Sequence, residues 1–315
     1  MHHRQLGHTD LQIPPLVFGA NVFGWTADKQ TSFGLLDRLA EAGLSTIDTA
    51  DVYSNWAAGN QGGESETIIG EWLQKRGKRG STIVITKCGA ASSPDKGLTA
   101  AAIEKSCEAS LKRLKTETID LYLSHFPDAE TPYEETLGAF DRLKKAGKIR
   151  WFGTSNLNAE QLQASLETAK AANLPRYEVL QPEYNLYDRA SFDGPLRKLC
   201  MSEGLGVITY FSLAKGFLSG KYRSEADLGQ SARGGGIKAY LNPRGFKILE
   251  ALDEIAARLA AKPAEVALAW LIHRAGVTAP IASATSLAQL ESLIRATQLE
   301  LSSEDVSMLD AASAL

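Results

Sequence analysis

Cysteine is scarce: Cys88, Cys107 and Cys200 are the only three in 315 residues. An odd count with no close pair argues against a disulfide framework and against a thiolate metal site. It fits reduced thiols in a cytoplasmic protein. Long apolar runs are missing as well. No stretch reaches the roughly 18 apolar residues of a membrane span, and the opening MHHRQLGHTDL has no signal-peptide core. An excess of either charge is lacking: 34 Lys and Arg stand against 37 Asp and Glu, for a net charge of −3. That leaves no basic field for nucleic acid or an anionic membrane. Glycine (27) and proline (11) are at ordinary abundance, and 44% of residues are hydrophobic. Disordered, collagenous and low-complexity classes are thereby excluded.

What is present is alternation. Short β-like runs occur at Leu16–Phe18, Thr46–Asp48, Ile83–Lys87, Ile119–His125, Ile149–Ser155, Glu178–Pro182, Gly206–Tyr210 and Thr278–Ala282. Amphipathic stretches separate them: Ser32–Glu41, Ser65–Lys75, Ala101–Leu114, Pro132–Ala146, Ala159–Ala172 and Phe192–Glu203. Their apolar residues recur at three and four, the helical period. Strand-then-helix repetition predicts parallel strands with right-handed crossovers. Eight units of about 35 residues suit a closed (β/α)8 TIM barrel. A doubly wound open sheet should show G-x-G-x-x-G after its first strand, and LVFGANVFG lacks that spacing. We therefore expect residues 1–315 to form one α/β barrel domain, with an N-terminal β-hairpin (His3–Leu6 and Leu11–Ile13) capping the barrel floor and an extra C-terminal helix. The polar, Gly-rich stretch from about Ser224 to Pro243 is expected to be a loop on the face where barrel active sites lie.

Polar residues at strand ends carry the chemistry. Asp48 and Lys87 close two strands, His125 closes a third, and Tyr53 follows Asp48 by five residues. Each alone has a bland reading: a helix cap, a solvated amine, a packed ring, a structural histidine. Together they are coherent. Asp48 can balance a buried Lys87. At about 4 Å and an effective dielectric of about 20, the lysine charge favours the phenolate of Tyr53 by roughly 4 kcal/mol before desolvation opposes it. Such a phenol can donate a proton, and His125 can orient the oxygen that receives it. No H-E-x-x-H, paired cysteine or G-x-S-x-G motif points to metal or serine-hydrolase chemistry. GFLSGKY has the wrong glycine spacing for a phosphate loop.

The chain resembles the aldo-keto reductases nearly end to end, from RQLGHTDLQIPPLVFGA to QLESLIRA, with DTADVYS, ITKCG and LYLSHFPD in the family's order. The resemblance implies Asp48, Tyr53, Lys87 and His125 as a catalytic tetrad with Tyr53 as general acid. It implies reduction of an aldehyde, ketone or sugar carbonyl to an alcohol by hydride transfer, or the reverse oxidation. It implies NADPH as cofactor, with NADH possible. Ser155, Asn156 and Gln181 match positions that hold the nicotinamide carboxamide, and Tyr210 the ring that stacks on it. Ser212, Leu213 and Lys221 match the loop lining the pyrophosphate.

At the adenosine end the sequence departs from the family. Thr285 stands where arginine is frequent, Gln289 is kept, and Ser292 and Leu293 replace a Glu-Asn pair. Arg233 and Lys221 remain as cations for a 2′-phosphate. The link from Tyr53 to Glu64 is long and carries Trp56, which with Phe23, Trp25 and Phe126 is expected to wall the pocket of a small-molecule carbonyl or sugar. Two other functions fit the resemblance or the residues: a cofactor-sensing regulatory subunit with little turnover, similar to potassium-channel β-subunits, and an aldolase using Lys87. Asp48 beside Lys87 opposes the aldolase, because a paired ammonium resists the deprotonation that a Schiff base needs.

Overall fold

A computed structural model describes residues 2–77, 79–231 and 234–315. Eight parallel strands close into a barrel. They are β3 (Val17–Gly19), β4 (Thr46–Asp48), β5 (Ile83–Cys88), β6 (Ile119–Ser124), β7 (Ile149–Ser155), β8 (Val179–Gln181), β9 (Gly206–Thr209) and β10 (Ala279–Ala282). β10 pairs with both β3 and β9, so the barrel has no open edge. Each strand departs from its predicted limits by two residues or fewer, and Thr46–Asp48 and Ile149–Ser155 coincide with them.

Strand alternation builds two cores from one chain. Val17, Ile85, Leu121, Leu123, Val179, Ile208 and Ile281 point inward. Phe18, Ile47, Val84, Tyr122, Phe152, Leu180 and Val207 point outward and pack under the helices. The hairpin strands β1 (Arg4–Gln5) and β2 (Gln12–Ile13) pair antiparallel below the barrel. Leu6, Leu11 and Ile13 rise from them into the inner core and plug the floor.

The surrounding helices are α1 (Lys29–Glu41), α2 (Glu64–Arg76), α3 (Ala100–Leu114), α4 (Tyr133–Lys145), α5 (Ala159–Ala171), α6 (Pro195–Ser202), α7 (Pro243–Arg258), α8 (Pro263–Ile272), α9 (Leu287–Ala296) and α10 (Ser303–Ala312). Side-chain caps start several of them: Asp28 accepts from Thr31 N at 2.8 Å, and Asn158 and Gln161 cap each other's backbone at α5. α6 begins later than its amphipathic pattern, because Gly194 turns at φ 97° and Pro195 then occupies the first helical position. Two helices, α7 and α8, lie between the 3-10 segment and β10, and α8 is buried from Glu265 to Ile272, wedged between α7, α9 and β10. α10 is the extra C-terminal helix. The stretch expected to lack structure instead carries short 3-10 turns at Glu225–Gln230, Gly234–Gly236 and Lys238–Tyr240.

Candidate active site

The inward parity of the strands carries polar residues to the barrel mouth. Lys87 lies two residues beyond inward Ile85, His125 two beyond Leu123, Gln181 two beyond Val179 and Tyr210 two beyond Ile208. Asp48 alternates with outward Ile47, and Ser155 lies three past outward Phe152. Apolar side chains fill the same interior face lower down.

Lys87 is fully buried at 0% exposure. Its ammonium donates to Asp48 Oδ2 at 2.8 Å, to Tyr53 OH at 2.8 Å and to the Thr49 carbonyl at 2.7 Å. All three donors of the ammonium are thus used. Burial lowers the lysine below its ordinary range, while Asp48, Asp51 and Glu66 act in the opposite direction. Tyr53 OH accepts from Lys87 and donates to Asp48 Oδ2 at 3.3 Å. Asp48 Oδ1 accepts from Gln181 Nε2 at 2.8 Å, so neither carboxylate oxygen is idle. The pairing with Asp48 is what the sequence predicts, and it counts against a Schiff-base lysine.

His125 presents its ring edge-on to Tyr53, with centroids 6.0 Å apart. Burial, then the charge of Lys87, holds it well below the usual histidine range. The imidazole is therefore neutral at physiological pH, with one N–H to donate and one lone pair to accept. Its buried Nδ1 has no hydrogen-bond partner among the described residues.

The candidate cofactor residues form a second group on the adjoining strands. Asn156 adopts a left-handed backbone (φ 64°), which asparagine tolerates, and this folds its amide back over the strand ends. It donates to the His125 carbonyl at 2.8 Å and to Ser155 Oγ at 3.1 Å, and it accepts from Tyr210 OH at 2.7 Å. Ser155 donates to the Gln181 carbonyl at 2.7 Å. Beyond Tyr210, Ser212 is buried and donates to the Thr209 carbonyl at 3.0 Å. Ala214, Lys215 and Gly216 then run left-handed in succession, at φ 47°, 58° and 106°. Two non-glycine residues in that region mark a strained turn of the kind that collects at ligand sites. Leu213 is half-buried at its start. Lys221 is exposed, with its ammonium 5.0 Å from the Tyr222 ring.

Not every predicted residue joins the site. Phe23 is 0% exposed and packs on Phe18, so it belongs to the core and not to a pocket wall. Its contribution is a backbone carbonyl that accepts from Ser54 Oγ at 2.5 Å and anchors the long loop. Asn60 adds bonds to the carbonyls of Gly24 and Ser54. The loop so fixed holds Trp56 between Tyr53 (5.9 Å) and Trp25 (5.8 Å, edge-on). Trp56 and Phe126 keep 47% and 45% of their surface exposed, and Phe126 stacks on His125 at 4.7 Å. At the far end, Thr285 N and Oγ1 donate to Gln289 Oε1 at the start of α9. Ser292 and Leu293 face inward, Ser292 donating to Glu265 of α8 at 2.5 Å. Arg233 lies outside the described residues. Thr49 was invisible in the sequence, because it acts through a backbone carbonyl. Asp51 stands inside the quoted DTADVYS motif, and only its surroundings mark it out.

A family model described as "Aldo/keto reductase family" matches residues 15–314. An "uncharacterized oxidoreductase YrpG" of Bacillus subtilis is 32% identical, across 98% of this chain and 95% of that protein. A "probable voltage-gated potassium channel subunit beta" of Oryza sativa subsp. japonica is 32% identical, across 92% and 89%. "Aldo-keto reductase AMT2" of Alternaria alternata is 29% identical, across 98% and 90%.

Proposed function

The chain belongs to the aldo/keto reductase family, and we propose that it is an NAD(P)H-dependent oxidoreductase that interconverts a carbonyl and an alcohol with Tyr53 as the proton donor. The observation that carries this reading is the 2.8 Å contact between Lys87 and the Tyr53 hydroxyl inside a buried, fully hydrogen-bonded cluster. Ser155, Asn156 and Tyr210 are the residues that would hold the nicotinamide end, and the left-handed turn from Ala214 the pyrophosphate. They fit because amide, hydroxyl and aromatic groups converge beside Asp48 and Lys87. A bound nicotinamide dinucleotide supplies the hydride.

The remaining work falls to the chain's own residues. The carbonyl oxygen sits between the Tyr53 hydroxyl and the neutral His125 ring. His125 orients it by hydrogen bonding. Tyr53 delivers its proton as negative charge develops on that oxygen, and Lys87 stabilises the phenolate left behind. Asp48 keeps the ammonium in place and in turn is held by Gln181. In the oxidative direction the phenolate takes the alcohol proton through the same contacts. Trp56 and Phe126 offer apolar faces to the substrate at the rim.

Tyr53→Phe tests the reading. Reduction should fall by about 10²–10⁴-fold while affinity for NADPH and NADH stays within about threefold. Wild-type turnover in that variant ends the assignment. Cofactor choice is tested separately: Lys221→Ala should weaken NADPH more than NADH, since only the former carries the extra phosphate. A second reading, a cofactor-sensing channel subunit, draws on the likeness to the rice protein. A panel of aldehydes, ketones and sugars without measurable NAD(P)H oxidation would favour it.

A further inference from the structure

One buried carboxyl near Lys87 has no part in the chemistry above. Asp51 lies in the turn between Asp48 and Tyr53, with its N–H donated to the Lys87 carbonyl at 3.2 Å. Its side chain is buried, at 5% exposure. Oδ2 accepts from Ser93 Oγ at 2.9 Å. Oδ1 is buried and has no hydrogen-bond partner among the described residues.

The charges around it are already committed. Lys87 is held by Asp48 on β4 and β5. Arg113 of α3 is held by Glu66 of α2 at 2.6 Å, and Glu66 also accepts from Thr86 Oγ1 at 2.6 Å. The neutral thiol of Cys88 and phenol of Tyr122 complete the set from β5 and β6. Within this set, Asp51 is the third carboxyl against two cations. It receives one neutral hydroxyl where its neighbours receive charged donors. A buried carboxylate so poorly solvated is the member of the cluster that gains most from binding a proton.

We propose that Asp51 is a positioning residue whose gain and loss of a proton changes the field at the Lys87–Tyr53 pair: its anion helps Lys87 keep its proton and acts directly on Tyr53 against release of its own. The proposal rests on Tyr53 being the proton donor. Burial pushes the Asp51 carboxyl up to about 7; the Ser93 hydrogen bond opposes this and Glu66 adds to it. Above that pH Asp51 is an anion, which favours the Lys87 ammonium and disfavours the Tyr53 phenolate. The phenol then stays protonated, and competent for reduction, to higher pH.

The test is the pH profile of kcat/KM for NADPH-dependent reduction of 4-nitrobenzaldehyde, in wild type, Asp51→Asn and Asp51→Glu. Asp51→Asn should lower the basic limb by about half a pH unit, and Asp51→Glu should keep it near wild type. Infrared titration of the cofactor-free protein supplies a readout independent of turnover. A protonated-carboxyl band should vanish with a midpoint near pH 7 in wild type, be absent in Asp51→Asn, and persist to higher pH in Ser93→Ala, which also serves if Asp51→Asn does not fold. Superimposable pH profiles, or a band unmoved by these substitutions, overturn the proposal. A fully active Tyr53→Phe overturns the reading beneath it, whereas an inactive Tyr53→Phe beside an unshifted Asp51→Asn profile overturns the role of Asp51 alone.

Discussion

The two ends of the barrel interior are built from the same strands on opposite principles. At the floor, Leu6, Leu11 and Ile13 meet Val17, Leu121 and Val179, and the contacts are between apolar side chains. At the mouth, Asp48, Lys87 and Gln181 are equally buried and are held only by hydrogen bonds and paired charge. The floor stabilises by removing apolar surface from water. The mouth brings charges into a medium where their interaction is strong and an unpaired one is costly. A chain that tolerates this arrangement at one end draws its stability from the other.

Substitutions can break this contrast, and the largest effect belongs to the mouth. Lys87→Met should abolish reduction and destabilise by about 3–5 kcal/mol, because Asp48 is left buried without its cation. Adding Asp48→Asn should restore most of the stability and none of the activity, which denaturant unfolding and turnover assays can separate. At the floor, Leu121→Ala should destabilise by about 2–5 kcal/mol through its cavity, while kcat of the folded fraction stays within about twofold.

His125 sharpens the comparison through pH. Its folded-state proton affinity lies well below the unfolded value of about 6.5, so the unfolded chain binds the extra proton. Wild-type stability should therefore fall as pH drops below about 6.5. His125→Gln should lose that part of the acid sensitivity in unfolding titrations. A floor variant such as Leu121→Ala should keep it. The smallest effect belongs to the rim. Trp56→Ala should raise KM for bulky apolar carbonyls about tenfold with kcat changed less than about twofold, because the ring adds binding surface and moves no proton. Equal loss for small and bulky substrates would mean that Trp56 supports the loop and not the substrate.

Much of this could be read in advance. The eight strands are short apolar runs bounded by helices of clear period, so their limits were visible. DTADVYS, ITKCG and LYLSHFPD marked Asp48, Tyr53, Lys87 and His125, and parity along each strand then sends three of these inward together. Phe23 lies in the core and not on a pocket wall, a difference the sequence does not show, because an aromatic beside a motif looks the same whether it faces a pocket or the core. Ser292 and Leu293 stand in sequence where the resemblance puts a Glu-Asn pair, yet their side chains serve α8 and the interior. Asp51 has no signal in its spacing, because nothing in the sequence shows that Lys87 and Arg113 are engaged by other carboxyls.

Periodicity and motif order are local properties. They suffice to determine a closed parallel barrel, its hairpin and the strand ends that carry the polar residues. Which buried carboxyl obtains a cation, which aromatic stays exposed and which loop is pinned beside Tyr53 depend on neighbours far away in sequence, 39 residues for Lys87 to Asp48 and 133 for Gln181 to Asp48. Only the closure of the barrel brings those groups within hydrogen-bond range, and partnership at that range decides the charge and the reactivity of each.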